Sequence, residues 1–571
     1  MSERLDERTD AWPLRPWIMA AICAVAGLAF HYLVDRHSYA QPIEIWRQAG
    51  ATFVAIATVS FVMTVEKRRW LWAVAFAVGW GLVIALVGWF TARYNFKSTI
   101  FEWPYLSGLF AVLLAAPLFQ TVRDEGAWRF PYKSLHSHAW NDAVIGAASL
   151  FFVGIAFLLA YLISGLFDLI GIHAIKDLLN KEWFGWVLAG FAFGGVVGLL
   201  RERDRLTATL QRLVMVVFSV LAPVLAVALV LFLASIPFTG LGKLWSSWVP
   251  ATPMLLSAAA GAILLANVVI GDGREERSAN RILRWSALAL VAVILPLAGI
   301  AALSMGIRIN EYGWTPERIW GVISVVVAIA YGLAGWWSIW RGRQDFDDPL
   351  RPYQTKMAIG LCGLALFLAL PILDFGAISA SSQMARLESG KVTADKFDWT
   401  AMAFDFGPSG RKRLSEIAKG GPAGQRQLAE AALQSTDRYL VTSDIQTTTT
   451  AAEIDRWMRV IPDGATVDPA LRAEVVKNET CREKSCLLLI LSPSEALLVG
   501  HPYANERMVR TRFVAQDKGG WAEIPDNGEN WPDNKADPRE TKVEVRTVTR
   551  RQLFVDGKPV GSPLPETSEG G

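Results

Sequence analysis

From residue 17 to residue 378 the chain repeats one pattern, a long run of apolar residues followed by a short polar loop. Crossing the hydrocarbon layer of a bilayer takes about 20 helical residues at a rise of ~1.5 Å each, so every such run predicts one membrane-spanning helix. Eleven are predicted, over residues 17–34, 49–65, 70–92, 103–122, 143–171, 183–200, 213–237, 251–271, 285–306, 318–340 and 357–378. A soluble helical core would need a polar stripe along each helix. The stretch from Leu213 to Ser235 has no charged residue on any face.

Past residue 380 the pattern changes. Two amphipathic helices are expected over 410–419 and 423–440, and a third over 451–460. Short β-like runs follow at 487–491, 496–499, 509–515, 543–548 and 552–555, with Pro525 to Arg539 read as a loop and the tail from Ser562 as disordered. Asp556-Gly557 predicts a tight hairpin turn, because both turn positions favour positive φ. The fold expected is an α-helical polytopic membrane protein of about eleven transmembrane helices with a C-terminal extracytoplasmic α+β domain. Its parts are an N-terminus of residues 1–16, a helical bundle of 17–378, a small domain of 379–556 and a tail of 557–571.

Composition adds that these two parts are of different kinds. Of all residues, 52% are hydrophobic and 19% charged. The charged share is about 14% up to residue 380 and about 28% beyond it, the second value close to that of ordinary soluble domains. The net charge of +3 is too small to point to nucleic acid.

Where the charges fall gives the helices a direction. With loops numbered by the span they follow, the N-terminus and the even loops hold 21 Lys and Arg, and the odd loops hold 9. Lys and Arg gather on the cytoplasmic side of short loops. The N-terminus is therefore expected inside a plasma (inner) membrane, and the C-terminal domain, after eleven crossings, outside. The first span is not read as a cleavable leader, since Glu3, Asp6, Glu7 and Asp10 offset its arginines. Twenty of the 24 Trp precede residue 341, many near span ends, such as Trp17, Trp70 and Trp183, as in an aromatic belt. The bilayer itself is thus one expected partner.

Candidate chemistry is sparse. Cys23 and Cys362 fall inside spans, whereas Cys481 and Cys486, five residues apart, are candidates for a disulfide if their compartment is oxidising. His136, His138 and Asp142 look like an interfacial helix start, with Asn141 or Asp142 as cap, rather than a metal cluster, which needs more converging ligands. Asp345, Asp347 and Asp348 among arginines read as a solvated mixed-charge loop. Gly190, Gly194 and Gly198 recur every fourth residue, a spacing that permits close helix approach. Pro117, Pro223, Pro296 and Pro371 interrupt four spans. Nucleotide-binding glycine motifs, H-E-x-x-H and G-x-S-x-G are all absent from the sequence.

The junction before the tenth span, Arg308-Ile309-Asn310-Glu311-Tyr312-Gly313-Trp314-Thr315-Pro316-Glu317-Arg318, has a local logic. Thr315 suits an N-cap, Pro316 the first helical position and Glu317 the helix dipole, and Gly313 permits the turn before them. Arg308 and Arg318 flank Glu311, an arrangement for an ion pair at the membrane edge. This junction resembles the R-I-x-x-Y-G-x-T-x-x-R motif of bacterial membrane proteins grouped as domain-of-unknown-function family 4153 (DUF 4153). Gly165-Leu166-Phe167-Asp168-Leu169-Ile170-Gly171-Ile172 is similar to that family's L-F-x-x-I-G-I stretch. The resemblance covers about residues 15–420. It implies a multi-pass inner-membrane protein and carries over no catalytic residues.

Arg308, Glu311, Tyr312, Arg318 and Asp168 are the candidate ligand or partner surface, for a lipid headgroup or an envelope protein at the outer face. The expected function is non-enzymatic, an inner-membrane protein whose outer domain binds an envelope partner or ligand. The alternatives are a permease or lipid-translocating protein, and a membrane-embedded transferase using Asp168, Glu311 or Arg308 at the outer surface. No metal or cofactor is expected.

Overall fold

The computed structural model describes residues 12–35, 43–92, 102–242, 250–275, 277–435, 438, 441, 454–478, 481, 485–500, 509–516, 519–524, 552–555 and 558–560. The chain divides into two compact units, Met1–Leu433 and Gln434–Gly571. The division falls well after the composition shift at residue 380, because the helices that follow the last span pack with the bundle.

The first unit is built from α1 (Arg15–Val34), α2 (Ile45–Thr64), α3 (Trp70–Ala92), α4 (Glu102–Glu125), α5 (Tyr132–Leu169), the short α6 (Ala174–Leu179), α7 (Glu182–Glu202), α8 (Asp204–Thr239), α9 (Ala251–Ile270), α10 (Arg281–Tyr312), α11 (Pro316–Gly342) and α12 (Asp347–Ala369). Among the described residues ten helices, α1 to α5 and α7 to α11, are long and apolar enough to cross a membrane. Their outward faces are apolar. Leu150, Phe151 and Leu158 of α5 and Val216, Val220, Val224 and Leu231 of α8 are exposed, a surface that suits lipid and not water. The protein is a multi-pass membrane protein.

Alanines, glycines and aliphatic side chains fill the interior. The largest core cluster joins α8 to α11 around Leu290, Ile294, Leu297, Ala259 and Ala262. The closest approach is between α1 and α7. A Cβ added at Gly190 would lie 2.1 Å from the Cys23 carbonyl oxygen, at Gly194 2.3 Å from that of Met19, and at Gly27 2.3 Å from that of Trp186. The two helices therefore run antiparallel with backbones in contact, which the four-residue glycine spacing anticipates.

The eleventh span differs from its expected form. The helix over 357–378 starts ten residues earlier, at Asp347, and stops at Ala369. Leu370 is extended, as the residue before Pro371 is pushed to be. A new helix, α13 (Phe375–Glu388), then starts with the Asp374 carboxylate accepting from the Ala377 N–H at 2.9 Å. Asp347, Asp348, Arg351 and Lys356 make the first half of α12 polar. Its path is nevertheless fixed at both ends. At its start, Asp347 and Asp348 pair with Arg277 and Arg274 of the eighth loop. Beyond its end, α13 grips the turn after the ninth span (below). Between them α12 runs antiparallel to α4, with the Ser107 hydroxyl donating to the Ala365 carbonyl at 2.9 Å and the Cys362 Sγ 3.6 Å from the Ala111 carbonyl. It passes from the even-loop face of the bundle to the odd-loop face, although it is not among the ten described helices apolar enough to cross a membrane.

After α13, Trp399, Met402, Phe404 and Phe406 are buried around a π-helical turn, Ala401–Asp405. Helices α14 (Gly407–Gly420) and α15 (Ala423–Gln434) follow. The Ser409 hydroxyl donates to Asp374 at 2.6 Å, tying α14 to the start of α13.

The second unit holds a five-stranded sheet in chain order, β1 (Met458–Ile461), β2 (Cys486–Ser492), β3 (Glu495–Gly500), β4 (Val509–Ala515) and β5 (Trp521–Ile524). β1 is parallel to β2 and the other pairs are antiparallel. The expected helix over 451–460 is thus corrected in its second half: residues 454–457 are helical, and Met458 onward pairs as a strand with Cys486 to Leu489. A helix missed in the sequence, α16 (Pro469–Lys477), supplies Leu471, Val475 and Val476 to a core shared with Leu488, Leu498 and Phe513. β6 (Leu553–Val555) and β7 (Lys558–Val560) pair antiparallel, Val555 opposite Lys558. Asp556-Gly557 between them, the expected strand at 543–548, the loop at 525–539 and the tail from Ser562 lie outside the described residues, whereas β7 falls within the expected tail of 557–571.

Candidate functional site

The motif turn joins α10 to α11. Thr315 accepts from the Arg318 N–H at 3.4 Å and Pro316 takes the first helical position, as its residue types require. Gly313 has φ +75°, and a Cβ there would lie 2.6 Å from Cδ of Arg386 and 2.9 Å from Nε2 of Gln383. Only glycine fits both that backbone and that contact.

Most of what holds the turn comes from α13. Gln383 donates to the carbonyls of Tyr312 at 2.9 Å and Trp314 at 3.0 Å. Arg386 donates to the carbonyls of Asn310 at 3.4 Å and Glu311 at 2.5 Å, and the Ser382 hydroxyl accepts from the Trp314 N–H at 3.2 Å. Arg318 donates to the carbonyls of Tyr312 at 3.1 Å and Gly313 at 2.6 Å and lies 5.6 Å over the Tyr312 ring. The last carbonyls of a helix have no partner within it. Here two guanidinium groups supply one, with charges that also favour the negative end of the helix dipole.

This replaces the expected ion pair. No salt bridge joins Glu311 to Arg308 or Arg318. Arg318 turns back to the carbonyls of Tyr312 and Gly313 instead. Arg308 acts on Arg318 only as a nearby like charge, as does Arg386. Asp168 lies at the end of α5 and pairs within its own loop, with His173 at 2.5 Å and Lys176 at 3.1 Å. Beside it is a cavity of about 240 Å³ lined also by Tyr161, Ser164 and Asn180. No hydrogen bond or ion pair links Asp168 to the motif turn. Tyr312, Arg318 and Glu311 are thus brought together, and Asp168 stands apart from them in its bonding.

The opposite face carries two ion networks that sequence reasoning missed. In the first, residues from the N-terminal end and three even loops meet. Arg15 and Arg201 both reach Glu66, at 3.1 and 2.9 Å; Arg201 also lies 3.6 Å from Asp142, which accepts from Gln120 at 2.7 Å. Burial works against the Glu66 charge, but Arg201 and Arg15 outweigh it and hold the carboxyl below the ordinary glutamate range. Asp142 is therefore no cap, since α5 starts at Tyr132, well before it. In the second, Arg351 pairs with Asp347 at 2.8 Å and Asp348 at 2.9 Å, and donates to the Ile270 carbonyl at 3.1 Å. Asp347, read from the sequence as part of a solvated loop, is 1% exposed. The pairing with Arg277 and Arg351 is what makes its burial tolerable.

In the second unit a disulfide joins Cys481 to Cys486, both buried in the core between α16 and β2. Among the described residues no group of three or more His, Cys, Asp or Glu is placed to hold a metal ion.

Comparison with known proteins bears on the bundle. The family model described as Domain of unknown function (DUF4153) matches residues 51–407. The chain belongs to the DUF4153 family. No curated protein and no solved structure matches it. The part shared with DUF4153 runs from α2 to the start of α14. It therefore takes in the motif turn together with the α13 residues that grip it, and leaves out α1 and the whole second unit.

Proposed function

We propose that this DUF4153 protein is a non-enzymatic membrane scaffold. On this reading the eleven-helix bundle, seated in the inner membrane with its N-terminus in the cytoplasm, holds the C-terminal α+β unit on the extracytoplasmic side, where that unit binds an envelope partner or ligand. The observation that carries the reading is the separate second unit, with its own sheet, its own core and its own disulfide. A disulfide persists best in an oxidising compartment, which agrees with the 21 to 9 sorting of basic residues by face. The arginines of the motif turn favour the same reading. Arg318 and Arg386 spend their N–H groups on backbone carbonyls, the work of a brace.

Two experiments test it. A reporter fused after Gly571 should be active only in its extracytoplasmic form; cytoplasmic activity would overturn the topology. A chain truncated after Leu433 should insert normally and fail to complement a deletion strain. Full complementation by that truncated chain would remove the reason for assigning binding to the second unit.

A further inference from the structure

The loop between α2 and α3 lines a cavity of about 430 Å³ on the even-loop face, formed by Glu66, Lys67, Arg68, Arg69, Arg123 and Asp124. Four of the six are basic, and both acids are already committed. Glu66 is held by Arg15 and Arg201, at 3.1 and 2.9 Å. Asp124 is held by Arg123 at 2.7 Å and by His138 at 3.1 Å. The field inside the cavity is therefore positive, and the N-terminal end of α3 adds its dipole to it.

Arg69 is the unusual residue. Its φ is +60°, a left-handed backbone that a residue with a Cβ seldom adopts. Its guanidinium donates to the Arg123 carbonyl and lies 5.9 Å over the Trp72 ring. A carbonyl leaves the charge of Arg69 uncompensated. Strain of this kind persists where the surroundings fix a side chain for a purpose. Next to the cavity, the first residues of α3, Trp70, Leu71 and Trp72, present exposed apolar side chains. They are of the type that sits at the membrane–water boundary.

We propose that this cavity binds a phosphate-bearing group through Arg68 and Arg69, and that the group is the headgroup of an anionic phospholipid. Guanidinium groups match phosphate oxygens with paired hydrogen bonds. The acyl chains of a lipid so held run along Trp70, Leu71 and Trp72, a contact that free phosphate does not use.

The test uses the full chain, purified in detergent and stripped of lipid. Binding is measured by native mass spectrometry and thermal shift with phosphatidylglycerol, with phosphatidylcholine of the same chains, and with inorganic phosphate. Phosphatidylglycerol should bind at least about tenfold more tightly than phosphatidylcholine, and added salt should weaken it. The double variant Arg68→Gln/Arg69→Gly should lose about thirty-fold in affinity, at roughly fivefold per basic residue removed. Glycine at position 69 accepts the left-handed backbone, so the fold is kept. Lys176→Gln, in the fifth loop, should bind as the parent does. If inorganic phosphate gives the full shift and phosphatidylglycerol adds nothing, the lipid assignment falls. Equal binding by parent and double variant, or equal binding of the two lipids, would overturn the site.

Discussion

The contact between α1 and α7 makes a sharp prediction, because it depends on the absence of an atom. In Gly190→Ala the new Cβ would sit 2.1 Å from the Cys23 carbonyl oxygen, and ordinary contact begins near 3.4 Å. The helices must part by about 1 Å locally, and a gap of that size forfeits a quarter to a half of each dispersion contact along the seam. Overpacking of this kind costs about 1–3 kcal/mol. Alanine is the better helix former by about 1 kcal/mol, which offsets part of that cost. A matched control separates the two effects. Gly154 in α5 has nothing within 4 Å of its would-be Cβ, so Gly154→Ala should gain the propensity alone. Thermal unfolding of both variants in detergent, followed by size-exclusion fluorescence, should place Gly190→Ala below the parent by about 1–2 °C and Gly154→Ala at or above it. If Gly190→Ala melts no lower than Gly154→Ala, the backbone contact is not what holds these helices together.

Other consequences follow from the ion networks and the turn. Asp347→Ala leaves Arg351 and Arg277 short of a buried partner and should cost about 3 kcal/mol in the same melt, with Asp347→Asn intermediate. The Glu66 carboxyl titrates below its ordinary value, near ~4.3 in an unfolded chain. Its stabilisation is therefore complete above that value and is lost as pH falls through the depressed one. Melts from neutral pH to pH ~3 should steepen at the acid end, and Glu66→Gln should flatten that limb; an unchanged profile would mean the pair contributes nothing measurable. Arg386→Ala removes two hydrogen bonds to the motif turn, and faster amide exchange confined to 308–318 would be its signature, whereas exchange unchanged there would show that Arg318 and Gln383 suffice.

Much of the bundle is legible because lipid imposes one simple rule on every span. Apolar length locates α1 to α5 and α7 to α11, and the charge of the loops sorts their ends. What escapes is whatever depends on residues distant in sequence. Asp347 looks solvated until Arg277, some 70 residues earlier, is brought to 3.0 Å. The motif turn shows its N-cap and its glycine locally, yet Ser382, Gln383 and Arg386 carry no signal that they will grip it. Pro371 interrupts its span as expected, but by ending the helix outright, since the following Asp374 offers a fresh cap. In the second unit, Asp468-Pro469 was a readable helix start, with the Asp468 carboxylate accepting from the Ala470 N–H at 2.8 Å. Met458 to Ile461 became a strand only because Cys486 to Leu489 lies beside it.

The polar first half of α12 bears on how the protein is made. A segment carrying several ionised residues partitions poorly into lipid on its own, at about 2.5–3.5 kcal/mol for each one near the bilayer centre. Its neighbours relieve that penalty, with Arg274 and Arg277 at its start and α4 alongside. On the topology proposed above, insertion of the last helix is a late assembly step that waits for earlier ones, and export of everything behind it waits too. A chain with α4 scrambled should leave its C-terminus on the wrong side. If the second unit lies outside as proposed, the bundle acts as its own checkpoint, passing that unit across the membrane only after the seat for α12 has formed.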